Sequence, residues 1–146
     1  AVAATMPADG RAVMITDKYT ATAAFADGDV VTFRLPAGLR LGMLSIRCDD
    51  LDSNGSPEIV FSVGYRTADS SSSLSAAPTA FAATGQTTAQ AGGTLVCSFE
   101  PLKFEEDVYV TVTVATNSAT HAAGDIFMIA VGEAEGPSGI RSGVGA

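Results

Sequence analysis

Residues Cys48 to Tyr65 read CDDLDSNGSPEIVFSVGY. An acidic, turn-forming centre, Asp49 to Pro57, stands between two apolar runs. Leu39 to Cys48 precedes it, and Glu58 to Tyr65 follows, with Ile59, Phe61 and Val63 alternating against Val60, Ser62 and Gly64. Asn54-Gly55 is a strong turn dipeptide because both residues tolerate positive φ, and Pro57 cannot donate to a β-ladder. The stretch therefore predicts a strand, an acidic turn and a returning strand, and it sets the fold class as β.

The same alternation recurs on both sides. Asp29 to Leu35 puts Val31, Phe33 and Leu35 opposite Thr32 and Arg34, the period-two pattern of a half-buried strand. Within Leu39 to Cys48 the apolar positions change parity near Gly42-Met43, which suits a β-bulge. Val108 to Ala115 alternates strictly, with valines at 108, 110, 112 and 114 against Tyr109, Thr111 and Thr113. Asp125 to Val131 is apolar at every position after the first, the pattern of a central strand. Arg11 to Thr16, Thr20 to Phe25 and Thr94 to Phe99 complete the set, with Pro101 to Asp107 as a connection. Seven or eight strands without a βαβ rhythm predict an antiparallel β-sandwich of jelly-roll type.

The segment Ala76 to Ala91 differs, being rich in Ala, Thr and Gln, with no charge from Ser70 through Phe99. Ala and Gln favour helix while Gly85 and the threonines oppose it, so one short helix or two half-turns is expected here, at a sheet edge. An uncharged insertion of this kind suits packing on a partner. It supplies Thr79, Phe81, Gln86 and Gln90 as candidate contact residues, with Ile140 and Arg141 from the C-terminal tail. The expected organisation is a flexible N-terminal arm (1–10), a sandwich domain (11–133) and a glycine-rich C-terminal arm (134–146).

The chain has 146 residues and 47% hydrophobic residues, enough for one domain with its own core. The longest apolar run falls far short of a membrane span. Sixteen acidic against eight basic groups give a formal net charge of −8, which disfavours nucleic acid and anionic membranes as partners. Cys48 and Cys97 each sit in a strand-like run and suit buried thiols, with a disulfide or a reactive thiol as the alternatives.

Asp50-Leu51-Asp52-Ser53-Asn54-Gly55 matches the opening of a calcium loop, which makes Asp50, Asp52 and Asn54 candidate metal ligands. The position that would hold the closing bidentate Glu is Phe61, and the flanks are strands, so a plain Asx/Gly turn is the simpler expectation. His121 is the only histidine, and no G-x-S-x-G elbow, phosphate loop or CxxC pair accompanies it. No catalytic residue and no cofactor is expected.

Asp50-Leu51-Asp52, Asn54-Gly55-Ser56-Pro57 and Ile59 to Tyr65 resemble the corresponding parts of small virion proteins of tailed bacteriophages. Val31 to Leu41, Gln90 to Gly93, the V-x-V-x-V strand and Ala122-Ala123-Gly124 agree in order. The likeness runs from about Asp29 to Val131 and rests on turn and strand signatures. It implies a capsid decoration, or cement, protein: a homotrimeric β-sandwich bound to the major capsid protein on the head exterior. It further implies synthesis in the host cytoplasm. The alternatives are a carbohydrate- or receptor-binding jelly-roll module of a virion fibre or surface protein, for which the absence of Trp is unfavourable, and a calcium-stabilised β domain.

Overall fold

A computed structural model describes residues 12–135. The strands are β1 (Ala12–Ala21), β2 (Val30–Leu35), β3 (Leu39–Cys48), β4 (Val60–Thr67), β5 (Ala77–Gln86), β6 (Gly93–Val96), β7 (Leu102–Lys103), β8 (Val108–Thr116) and β9 (Gly124–Ala134). They form two antiparallel sheets. Sheet A has the order β1-β9-β3-β6, with β7 also paired to β3, and sheet B the order β2-β8-β4-β5. The all-β sandwich expected from the sequence is what the chain forms. Arg11 to Thr16 and Thr20 to Phe25, read as separate strands, are replaced by the single strand β1, and β7 lies within the expected connection at 101–107.

The core lies between the sheets and is built by alternation. On β8, Val108, Val110, Val112 and Val114 are buried, and on β9 so are Ile126, Met128 and Ala130. On β3, Leu39 and Leu41 and then Leu44, Ile46 and Cys48 all point inward, although the two sets differ in parity. The register of β3 against β9 shifts between Leu41 and Met43. One extra residue at Gly42 therefore returns Leu44 to the core side and turns Met43 outward, as the sequence suggested. Burying each such Val, Leu or Ile side chain contributes roughly 1.5–3 kcal/mol.

The helix expected between Ala76 and Ala91 is not formed. Ala77–Gln86 is instead strand β5, at the edge of sheet B, and only Thr88–Gln90 makes a turn of 3-10 helix. Pairing with β4 outweighs the local propensity, as tertiary context commonly does. The pairing is irregular: Phe61, Val63 and Tyr65 of β4 face Gln86, Ala82 and Ala77, so β5 bulges twice. The outer bulge brings backbone across Gly64, where a Cβ would stand 2.0 Å from the Ala77 carbonyl oxygen and 2.6 Å from Pro78 Cα. Only glycine fits there.

Among the described residues, no helix is long and apolar enough to cross a membrane.

Candidate functional site

The acidic turn joins sheet A to sheet B, and its side chains face the protein's own backbone. Asp52 is 1% exposed. Its Oδ1 accepts from the backbone N–H groups of Asn54 (3.3 Å) and Thr120 (3.0 Å). Its Oδ2 accepts from those of Glu58 (2.8 Å), Ile59 (3.3 Å) and Ala119 (2.8 Å). Burial by itself would raise the carboxyl pKa, but these N–H donors outweigh it and hold the group well below the usual carboxylate range.

The other two candidate ligands are used in the same way. Asp50 Oδ1 accepts from the Asp52 N–H at 3.0 Å. Asn54 Oδ1 accepts from the Ser56 N–H at 2.8 Å, and Asn54 Nδ2 donates to Thr120 Oγ1 at 3.0 Å. A cation at Asp52 would meet a ring of N–H dipoles with their positive ends inward, the reverse of what a hard cation requires. Among the described residues no group of three or more His, Cys, Asp or Glu side chains is placed to hold a metal ion.

The turn acts as a fastening. Asp52 forms a β-bridge with His121, Ser53 N–H donates to the Thr120 carbonyl (3.0 Å), and Ala122 N–H to that of Leu51 (3.1 Å). Leu51 N–H donates to the Ala89 carbonyl at 2.9 Å, which ties in the 3-10 turn. The loop between β8 and β9, the crossing between β3 and β4, and the segment after β5 are thus held at one end of the sandwich.

The candidate contact residues are placed differently from one another. Phe81 was expected at the surface, and the structure corrects this: it is 2% exposed, with its ring centroid 4.7 Å from that of Phe99 and 5.7 Å from that of Tyr65. The first bulge of β5 turns it into the core, where an aromatic side chain gains most from burial. Gln90 is half-buried and donates from Nε2 to the Ile59 carbonyl at 3.1 Å. Gln86 donates from Nε2 to the Ala83 carbonyl, within its own strand. Thr79 is exposed on β5. Ile140 and Arg141 lie outside the described residues, as do residues 1–10 of the expected N-terminal arm.

Cys48 and Cys97 are free and buried. Burial pushes their thiols up, to about 12 for Cys48, where Asp49 adds to the effect, and to about 11 for Cys97. Thiolate chemistry at neutral pH is disfavoured at both.

A groove of about 650 Å³ runs between the loop Ser72–Ser75 and Leu102–Glu106. Tyr65 lines it, but its ring is packed edge-on against Phe104 at 5.2 Å between centroids, so it is not a free platform for a sugar.

The outer face of sheet A was missed as a contact surface. Its central strand β9 turns Phe127, Ile129 and Val131 outward, opposite buried Ile126, Met128 and Ala130. Val131 sits between Met14 of β1 and Met43 of β3, and Ile129 between Thr16 and Ser45, with Val96 beyond Ser45. Met14, Met43 and Val96 are 68%, 59% and 65% exposed. The signal was present in the sequence, because Asp125 to Val131 is apolar at both parities. An antiparallel strand with one wet face should alternate.

What the fold and these sites define is a sandwich with a solvent-facing apolar sheet. Comparison with known proteins makes this more specific. No family model matches the chain, and no curated protein does. Two solved structures do. A chain of the capsid of Ralstonia phage GP4 is similar at 25% identity and a TM-score of 0.70, over 94% of this chain and 93% of that one. A chain of the Cyanophage Pam1 capsid asymmetric unit is similar at 25% identity and a TM-score of 0.69, over 91% of each. The resemblance to phage virion proteins drawn from the sequence is matched by two phage capsid structures.

Proposed function

We propose that this chain is a non-enzymatic structural protein of a tailed-phage virion that decorates and braces the outside of the head. It acts as a homotrimer, made in the host cytoplasm and bound to the major capsid protein. The observation that carries this is the likeness, over more than nine-tenths of the chain, to chains of two phage capsids. The strand order supports a jelly-roll description: β1 pairs with β9 and β2 with β8, so that the first and last described strands lie side by side and the strands between them close the roll. That class includes viral capsid domains.

The shell contact comprises the uncharged edge strand β5 at Thr79 and Gln86, together with the terminal arms 1–10 and 136–146, including Ile140 and Arg141. The C-terminal arm starts two residues later than expected, because Ala134 belongs to β9 and Glu135 N–H donates to the Gly38 carbonyl. Each copy contributes a modest patch. Bracing then follows from many copies bound across capsomer junctions, where linked weak contacts add up to high avidity.

The test is to mix purified protein with heads assembled without it and to measure occupancy by sedimentation and electron microscopy. Regular decoration of the exterior is expected, with weaker occupancy when residues 1–10 or 136–146 are deleted. Heads that stay bare with the intact chain would overturn the proposal. Unchanged occupancy for both truncations would remove the arms from it.

A further inference from the structure

We infer that the outer face of sheet A is the surface on which a second copy of this chain packs. The inference rests on the self-association in the function proposed above, and it holds whether or not the chain binds a head.

The first ground is the pattern of β9. Ile126, Met128 and Ala130 meet the core, and Phe127, Ile129 and Val131 occupy the positions that a wet sheet gives to polar residues. The neighbouring strands continue the apolar surface, with Met14 and Met43 on either side of Val131 and Val96 on the far side of Ser45. Four strands ~4.8 Å apart and about seven residues at ~3.3 Å give a face of roughly 19 by 23 Å. That is roughly half of the ~800 Å² that each partner buries in a standard interface, and neighbouring side chains would supply the polar rim.

Charge identifies the occupant. The chain carries a formal net charge of −8, so a contact between copies must avoid setting acid against acid. The outward charges on this face are close to balanced. Lys18 and Arg47 stand on either side of Phe127, with the Arg47 guanidinium 5.9 Å from the ring centroid, and Arg40, in register with Glu133, donates from Nε to Glu135 Oε1 at 3.0 Å. Asp125, at the end of the face, accepts from Thr20 Oγ1 at 2.7 Å. Acidic residues crowd the connections instead, at Asp27 and Asp29, at Asp49 to Glu58, and at Glu105 to Asp107. Two copies can therefore meet on sheet A without like-charge repulsion, whereas meeting through the connections would set acid against acid. A basic partner would be drawn to the connections and would gain little from this face.

The test combines mass with a footprint. Light scattering coupled to size exclusion, over a range of concentrations, should give a multiple of 14.7 kDa for the intact chain. Met14→Lys combined with Met43→Lys should give the single-chain mass at every concentration, and so should Val96→Lys made separately. Val30→Lys, on the opposite sheet, should associate like the intact chain. Peroxide oxidation needs no substitution: Met14 and Met43 should be protected at least tenfold at high concentration relative to low, while buried Met128 reacts slowly throughout. A monomeric intact chain, unchanged association of the face variants, or oxidation of Met14 and Met43 independent of concentration would each overturn the inference. So would protection that appears only on heads, which would make the face a shell contact. Bare heads together with a self-associating chain would instead remove the capsid function and leave this inference standing.

Discussion

β8 and β9 run up the centres of the two sheets, and each buries its inward residues with equal completeness. Their outward residues differ in kind. β8 presents Tyr109, Thr111 and Thr113, flanked by Thr32 of β2 and by Arg66 of β4, whose guanidinium lies 4.9 Å from the Tyr109 ring centroid. β9 presents Phe127, Ile129 and Val131, flanked by two methionines. The inward halves of the two strands make the fold, and an interior of valines or of Ile, Met and Ala serves equally well for that. The outward halves carry the difference between a polar face already covered in part by the chain's own edge strand, with Thr111 buried there, and an apolar face that needs cover. Hydrophobic periodicity therefore reports more than secondary structure: where it fails on a central strand, it marks a surface with work left to do.

The largest effect expected tests whether the face of sheet B is already closed by its own chain. At Gly64 a Cβ would meet backbone atoms of Ala77 and Pro78, which have no side-chain freedom with which to yield. Gly64→Ala should lower the melting temperature by about 15 °C, or prevent folding, measured by circular dichroism. A loss of only a degree or two would mean that β5 does not lie over this face.

Next comes the fastening that holds the connections together at one end of the sandwich. Asp52→Asn puts an amide N–H₂ among backbone donors, and should lower the melting temperature at pH 7 by about 10 °C. The pH dependence has a definite sign. The Asp52 carboxyl lies below its ordinary value of 3.8 in the folded chain, so its contribution is complete above the unfolded pKa. It fades as pH falls below about 4 toward the depressed folded value. The gap in melting temperature between the intact chain and Asp52→Asn should therefore be constant from pH 7 to 5 and narrow on further acidification. A constant gap down to pH 2 would show that the charge is not what fastens the turn.

Most of the sandwich was legible in the sequence because inward residues recur at period two, and even the bulge at Gly42 showed as a parity change. Other parts were hidden for separate reasons. β7 has two residues, too short to display any period. β5 is written in Ala, Thr and Gln, whose local preference is helical, and its strand state comes from pairing with β4. Phe81 stood in that segment as an isolated aromatic, and nothing local shows that a bulge turns it inward. Asp50, Asp52 and Asn54 matched a calcium loop because an Asx turn and a metal loop need the same short oxygen-bearing side chains at alternate positions. The donors from Ala119 and Thr120 that separate the two come from a distant part of the chain. The apolar outer face of β9 was visible as composition, but only the register placing Met14 and Met43 beside Val131 makes it a surface.

A smaller effect of opposite sign is expected on the polar face. Thr111 is buried beneath the start of β5, and its Oγ1 has no hydrogen-bond partner among the described residues. An unpaired buried hydroxyl costs stability, and valine keeps the branched shape that strands favour. Thr111→Val should stabilise the chain by about 1 kcal/mol in denaturant titrations, and destabilisation would mean that the hydroxyl has a partner.

The smallest effect on folding is expected where the effect on association is greatest. Met14 and Met43 are exposed in the single chain, so replacing both with lysine removes little that the monomer buries. Measured at concentrations too low for association, stability should change by no more than about 0.5 kcal/mol. At high concentration the intact chain should gain stability with concentration and the double variant should not, because association stabilises only the form that binds. Equal concentration dependence in both would make the two outer faces equivalent. A large loss in the dilute monomer would mean that the methionines serve the fold rather than a contact. The contrast between β8 and β9 thus reduces to two measurements on one variant, with stability reporting on the core and its concentration dependence reporting on the face.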